Sequence, residues 1–174
     1  MSEPTSGMSA TVSLAERRVF SNSFKPLYSE GMALVERAAE YLDGEGRAEA
    51  RKLSRPAATL YAAESMRLTT RLMQIASWLL LQRAANAGEM TRDQVASEKT
   101  KVRLDTASAQ EDTAGWSEMP AAFREIVAHS LRLQSLVRRM DDEIYGEAVL
   151  ADGYGDDGNP VTAQINLLRT AFGR

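Results

Sequence analysis

Apolar residues recur along this chain in steps of three and four, the mark of helix faces, with no sustained alternation of apolar and polar positions that would point to strands. The most regular stretch is Phe123, Ile126, Ser130, Leu133, Val137, Met140 and Ile144, in steps of 3, 4, 3, 4, 3 and 4. Such a heptad seam packs a helix against its neighbours at about 20°. The helix carrying it is predicted to begin at Pro120, which suits a first turn, and to reach about Glu147.

Two further helices are predicted upstream. One runs from Ser23 to Asp43 with Phe24, Leu27, Leu34, Ala38 and Tyr41 or Leu42 on its apolar face, and with Pro26 tolerated in the first turn. "DGEG" at Asp43 to Gly46 stops it, because glycine ends helices cheaply. "SLAE" at Ser13 to Glu16 has the form of a capping box and predicts a short preceding turn. The other helix starts near Pro56, capped by Ser54, and continues to about Ala87 before Gly88. At about 1.5 Å per residue it is the longest element, and "WLLLQ" marks its most enclosed part. "TRDQ" at Thr91 to Gln94 is a second capping box, so a short helix is expected over Thr91 to Leu104, with Asp105 to Ser117 as a loop. The expected fold is therefore all-α: an antiparallel three-helix bundle over residues 20–148, with a flexible arm at 1–19 and a flexible tail at 149–174.

Composition narrows the function classes. Hydrophobic residues make up 44% of the chain, enough for a core, and the net charge of -3 argues against a general binder of phosphate backbones. With no cysteine, neither a disulfide framework nor a thiolate metal site is available. "IASWLLL" (Ile75 to Leu81) is far shorter than the roughly 20 apolar residues a membrane helix needs. The N-terminus lacks a basic region followed by an apolar one and does not read as a signal peptide.

Candidate chemistry is sparse. A di-iron bundle wants paired Glu-x-x-His motifs, but the single histidine, His129, has no glutamate three residues before it, and it reads as a surface or boundary residue. No serine sits in a strand-to-helix elbow, and "GYGDDG" carries aspartates that would repel phosphate. Arg67 and Arg71, one turn apart, could clamp a carboxylate or phosphate; with Glu64 they are more simply a solvated ion-pair row. Arg138 and Arg139, followed by Asp141, Asp142 and Glu143, read as a charged outer face, and Lys99, Lys101 and Arg103 form only a small basic patch. Met66, Met73 and Met140 are expected to fill a core, with a soft docking surface as the alternative. The tail is more suggestive. Asp152 to Pro160 has a tether's composition, and beyond it Val161, Ile165, Leu168 and Phe172 have the spacing of an amphipathic helix laid into a partner groove.

Four runs carry a family resemblance: "FKPLYSEGMALVERAAEYLDGEGRAEARKLSR" (Phe24 to Arg55), "YAAESMRLTTRLMQIASWLLLQRA" (Tyr61 to Ala84), "EKTKVRL" (Glu98 to Leu104) and "LRLQSLVRRMDDEIY" (Leu131 to Tyr145). Together they resemble the RcdA family, alphaproteobacterial regulators of CtrA degradation. The resemblance implies a self-associating three-helix bundle, a homodimer, with a disordered C-terminal tail that matters for activity. It also implies a non-enzymatic adaptor without cofactor, which joins ClpX in the ClpXP protease primed by the response regulator CpdR and brings in protease substrates during the cell cycle. Some members also bind the cyclic-di-GMP effector PopA. The expected location is cytoplasmic, with recruitment to a cell pole, and the acidic balance and the lack of a membrane-length apolar run leave neither nucleic acid nor membrane among the expected partners. The alternatives are a small helical enzyme acting on an anionic substrate through Arg67 and Arg71, and a helical DNA-binding regulator.

Overall fold

The computed structural model describes the backbone over residues 10–146 and side chains over 22–146. α1 is Ala10–Asp43, α2 Glu45–Ala50, α3 Arg55–Asn86, α4 Arg92–Lys99 and α5 Ala121–Asp141. A 3-10 turn, Trp116–Glu118, precedes α5, and a π-helical turn, Asp142–Gly146, follows it. The described residues contain no strand, so the all-α expectation holds. The chain divides into two compact units after Val137, and the strap, the ion cluster and the outer seam of α3 described below lie in the first. In the second, α5 runs out through Asp141 into the π-turn.

Boundaries differ from expectation where packing outweighs local signals. α1 begins at Ala10 rather than near Ser23, so "SLAE" lies inside it and Pro26 sits in its interior. Proline there removes one N–H and crowds the carbonyl four residues back. Phe24 and Leu27, on either side of it, are both buried, and this anchoring holds the helix through the proline. "DGEG" does end α1, yet the chain re-enters a helix at once, and α2 was not expected. Gly46 in α2 is buried so tightly that an added Cβ would meet Tyr61 Oη at 2.5 Å and Tyr41 Cε1 at 2.6 Å. The α3 signals hold: the Ser54 Oγ accepts from Ala57 N at 3.4 Å, and Gly88 follows the helix with φ 75°.

Named contacts fix the helix directions. Tyr28 meets Arg83 while Tyr41 approaches Tyr61 across Gly46, so α1 and α3 are antiparallel. Glu30 meets His129 and Arg37 meets Glu125, so α1 and α5 are antiparallel as well. Tyr61 packs on Phe123 with ring centroids 4.5 Å apart, and Arg71 reaches Ser130, so α3 and α5 run parallel. A short joint therefore connects α1 to α3 through α2, but not α3 to α5. The segment between α3 and α5 must carry the chain back along the bundle.

The core follows the predicted faces. Phe24, Leu27, Leu34, Ala38 and Tyr41 of α1 are buried, as are Phe123, Ile126, Ser130, Leu133 and Val137 of the α5 seam. Leu68, Ile75, Trp78 and Leu79 of α3 fill the space between them. Each such apolar side chain contributes about 1.5–3 kcal/mol by leaving water.

Candidate functional site

The return segment starts from α4, whose capping box is present as predicted: Thr91 Oγ1 accepts from Gln94 N at 3.2 Å, and Gln94 Oε1 accepts from Thr91 N at 2.9 Å. The helix stops at Lys99 instead of reaching Leu104. From Val102 to Gln110 the chain is an extended strap. Val102, Leu104, Thr106 and Ser108 are half-buried while Arg103, Asp105 and Ala107 are exposed, a period of two. The strap travels down α3 from Gln74 to Ala57: Thr106 Oγ1 donates to Gln74 Oε1 at 2.8 Å, Ser108 and Ala109 meet Glu64, and Gly115 presses on Ala57. Gly115 has φ 91°, and an added Cβ would lie 2.7 Å from Ala57 Cα.

A buried ion cluster holds the strap down. Glu64 and Arg71, two turns apart on α3, have no exposed surface. Arg71 Nη1 donates to Ser130 Oγ at 2.7 Å and Nε to the Thr106 carbonyl at 3.2 Å, while Nη2 lies 3.7 Å from Glu64 Oε1. Glu64 accepts from the Ser108 hydroxyl, from Ala109 N at 3.0 Å and from Arg67 Nη1 at 3.1 Å. Gln134 Nε2 of α5 also donates to the Thr106 carbonyl, at 3.3 Å. Burial pulls the Arg71 guanidinium below its usual range, and Glu64 opposes that shift. Arginine still stays charged in proteins, so one carboxylate faces two cations here. The cluster's excess charge is positive, and Arg67 is the member that shows it to solvent, with 46% of its side chain exposed.

This corrects the solvated-row expectation for Glu64, Arg67 and Arg71. Spacing placed them on one face; the strap then covered that face. Arg71 is enclosed and turned toward internal partners, whereas Arg67 remains accessible. Of the small basic patch, Lys101 pairs with Glu98 at 2.9 Å and Arg103 with Asp105 at 3.1 Å. His129 is a boundary residue, as expected, and bonds Glu30 Oε1 at 2.7 Å. Val161, Ile165, Leu168 and Phe172 lie outside the described residues.

The methionine expectation is also corrected. Met66 is 74% and Met73 66% exposed, and Leu80, within the supposedly enclosed "WLLLQ", is 50% exposed; only Met140 is half-buried. Met66, Met73 and Leu80 stand seven residues apart on a second seam of α3, with Thr69 and Ala76 between them and Thr59 and Ala62 before them. No charge interrupts this seam. Its hydroxyls are turned inward: Thr59 donates to the Arg55 carbonyl at 3.0 Å, Thr69 to that of Ser65 at 2.9 Å, and the neighbouring Ser77 to that of Met73 at 2.8 Å. Covering this face would strand none of these three hydroxyl donors, which lowers the polar penalty of its burial.

A family model described as "Protein of unknown function (DUF1465)" matches residues 15–172. The crystal structure of RcdA from Caulobacter crescentus CB15 is similar, with 45% sequence identity and a TM-score of 0.58 over 70% of this chain and 90% of that one. The chain belongs to the RcdA family. No curated protein matches it. In this RcdA-family chain the four runs that carried the resemblance fall on α1 with α2, on α3, on the end of α4 with the start of the strap, and on α5 with the π-turn. Among the described residues no group of histidine, cysteine, aspartate and glutamate side chains is placed to hold a metal ion, and no helix is long and apolar enough to cross a membrane.

Proposed function

We propose that this chain is a non-enzymatic proteolytic adaptor that links substrates to the CpdR-primed ClpXP protease and supports CtrA degradation, with PopA as a further partner. The observation that carries this reading is the 45% identity to RcdA over 90% of that chain. The physical picture agrees with it. The bundle's buried charges are spent on internal architecture, Arg71 among them, while α3 offers a long uncharged outer face to another protein. We assign the homodimer of this reading to that face, through Met66, Met73 and Leu80. Tethering cargo beside a protease raises its local concentration, so modest contacts are enough.

Reconstituted degradation of CtrA by ClpXP, CpdR and PopA tests the proposal. The full-length chain should accelerate cargo loss, and a version ending at Tyr145 should not. Equal activity of the two forms would move recognition from the tail residues Val161, Ile165, Leu168 and Phe172 to the bundle. No acceleration by either form would end the adaptor reading.

A further inference from the structure

The strap and the first turns of α3 enclose a groove of about 500 Å³, floored by Thr59, Leu60 and Ala63 and walled by Ala107, Ala109 and Ala114. Its lining is small and neutral except for Arg67. Pro56 also lines it, next in the chain to the corner where α2 and the start of α3 meet. That corner holds Arg47, Arg51, Lys52 and Arg55, all exposed, and none pairs with an acid among the described residues. Against them α2 carries two acids, Glu45, which is exposed, and Glu49, which accepts from the Tyr41 hydroxyl at 2.7 Å. In a chain of net charge -3, this is a concentrated positive end on an otherwise acidic molecule. Glu111 and Asp112, exposed, precede Thr113 of the groove lining in the chain, so the positive charge is on the α3 part of the lining and the α2 corner.

The strap adds a second kind of recognition. Of the strap residues that line the groove, Ala109 N bonds Glu64 and Thr113 N the Gln110 carbonyl, while the backbone N–H groups of Ala107 and Ser108 have no partner among the described residues. To these two N–H groups another extended chain can bond. A groove with small walls, two free main-chain N–H groups, one half-exposed arginine inside and, on the adjoining corner, four exposed cations without an acidic partner among the described residues fits one class of occupant.

We propose that this groove binds an extended acidic peptide segment of a partner protein, its main chain along the strap and a carboxylate on Arg67, with further acidic residues leading over Arg55, Lys52 and Arg51. Small side chains suit the alanine-lined walls. A nucleic acid fits less well, because the cations are confined to one corner and the groove itself offers a single cation, Arg67, for a phosphate track. The inference deepens the adaptor reading, which gives the site its use, but peptide binding itself is measured without any protease.

The test is fluorescence anisotropy on the full-length chain with a short fluorescein-labelled peptide of alternating alanine and glutamate. The same peptide with glutamine replacing glutamate and a labelled oligothymidylate of equal length serve as the other arms. The acidic peptide is expected to bind, and to weaken about tenfold with Arg67→Gln and by at least as much with the combined Arg51→Gln, Lys52→Gln and Arg55→Gln variant. Ala63→Leu, which fills the groove and leaves every charge in place, should abolish binding while circular dichroism shows the fold intact. Equal affinity for the glutamine peptide overturns the charge assignment. Binding that survives Ala63→Leu overturns the groove. Tighter oligothymidylate binding, weakened by the same variants, makes the corner a nucleic-acid site instead. A null result with every probe overturns the inference while leaving the degradation assay free to succeed, and an adaptor that fails in degradation would leave peptide binding standing.

Discussion

Arg71 Nη1 donates to Ser130 Oγ at 2.7 Å, and neither residue has any exposed surface. This one bond ties α3 to α5, and the Thr106 carbonyl on the same guanidinium adds the strap. The Ser130 hydroxyl donates to the Val127 carbonyl at 2.7 Å, which leaves its oxygen free to accept. Ser130→Ala is expected to cost about 1–3 kcal/mol by leaving a buried donor unmet. Arg71→Leu is expected to cost about 3–5 kcal/mol, because Glu64 would lose its enclosed cation. Adding Glu64→Leu should recover much of that loss. Urea unfolding of the single and double variants measures the coupling, and additive losses would mean that the two charges act separately.

The outer seam of α3 gives the opposite expectation. Met73 is exposed, so Met73→Glu should change folding stability by no more than about 0.5 kcal/mol. If the seam is the homodimer face, the same change should shift the chain toward a monomer by placing like charges at the contact. Sedimentation velocity reads this directly, and an unchanged sedimentation coefficient would assign self-association to another surface.

Two glycines separate crowding from backbone strain. At Gly46 an added methyl meets Tyr41 and Tyr61, so Gly46→Ala is expected to cost about 1–3 kcal/mol through overpacking. At Gly88 nothing lies within 4 Å, and only φ 75° opposes a side chain. Gly88→Ala should therefore cost about 1–2 kcal/mol, from conformation alone. Gly115 combines both penalties and should be the worst position of the three for alanine. Thermal unfolding of the three variants gives the order.

Alkaline pH should weaken the fold through Tyr41 and Tyr61. Burial raises both phenols above the usual tyrosine value, and the bond from Tyr41 to Glu49 adds to the rise. Their protonated forms are thus favoured in the folded chain, while in the unfolded chain they ionise near pH 10. Above that pH the unfolded state binds fewer protons than the folded one, so stability falls as pH rises. The loss is about 1.4 kcal/mol per pH unit for each such group, and it is absent below the unfolded value. Tyr41→Phe should flatten this decline, seen in urea midpoints measured from pH 9 to about pH 11. An equally steep decline in the variant would place the alkaline sensitivity elsewhere.

Much of the site was present in the sequence in a form that periodicity alone could not rank. Lys101 to Ser108 alternates outward and inward side chains, and the run of Val102, Leu104 and Thr106 was available as a period-two signal. It lies directly behind a strong capping box, and the helix signal of that box masks it. Met66, Met73 and Leu80 share a heptad face as regular as any core seam, and only their missing cover distinguishes them from one.

The sequence by itself determined the helices that have a self-consistent buried face: α3, with its Ser54 cap and Gly88 stop, and the α5 seam through Phe123, Ile126, Leu133 and Val137. Local hydrogen bonding and side-chain spacing within one segment are enough for that. Tertiary structure decided the rest. It carried α1 through Pro26, made α3 and α5 parallel by returning the chain as a strap, and buried Glu64 and Arg71 while leaving Arg67 and the methionines exposed. The physical reason is that spacing states which residues share a face, whereas burial depends on which other segment arrives to cover it, and that contact is made between residues far apart in the chain.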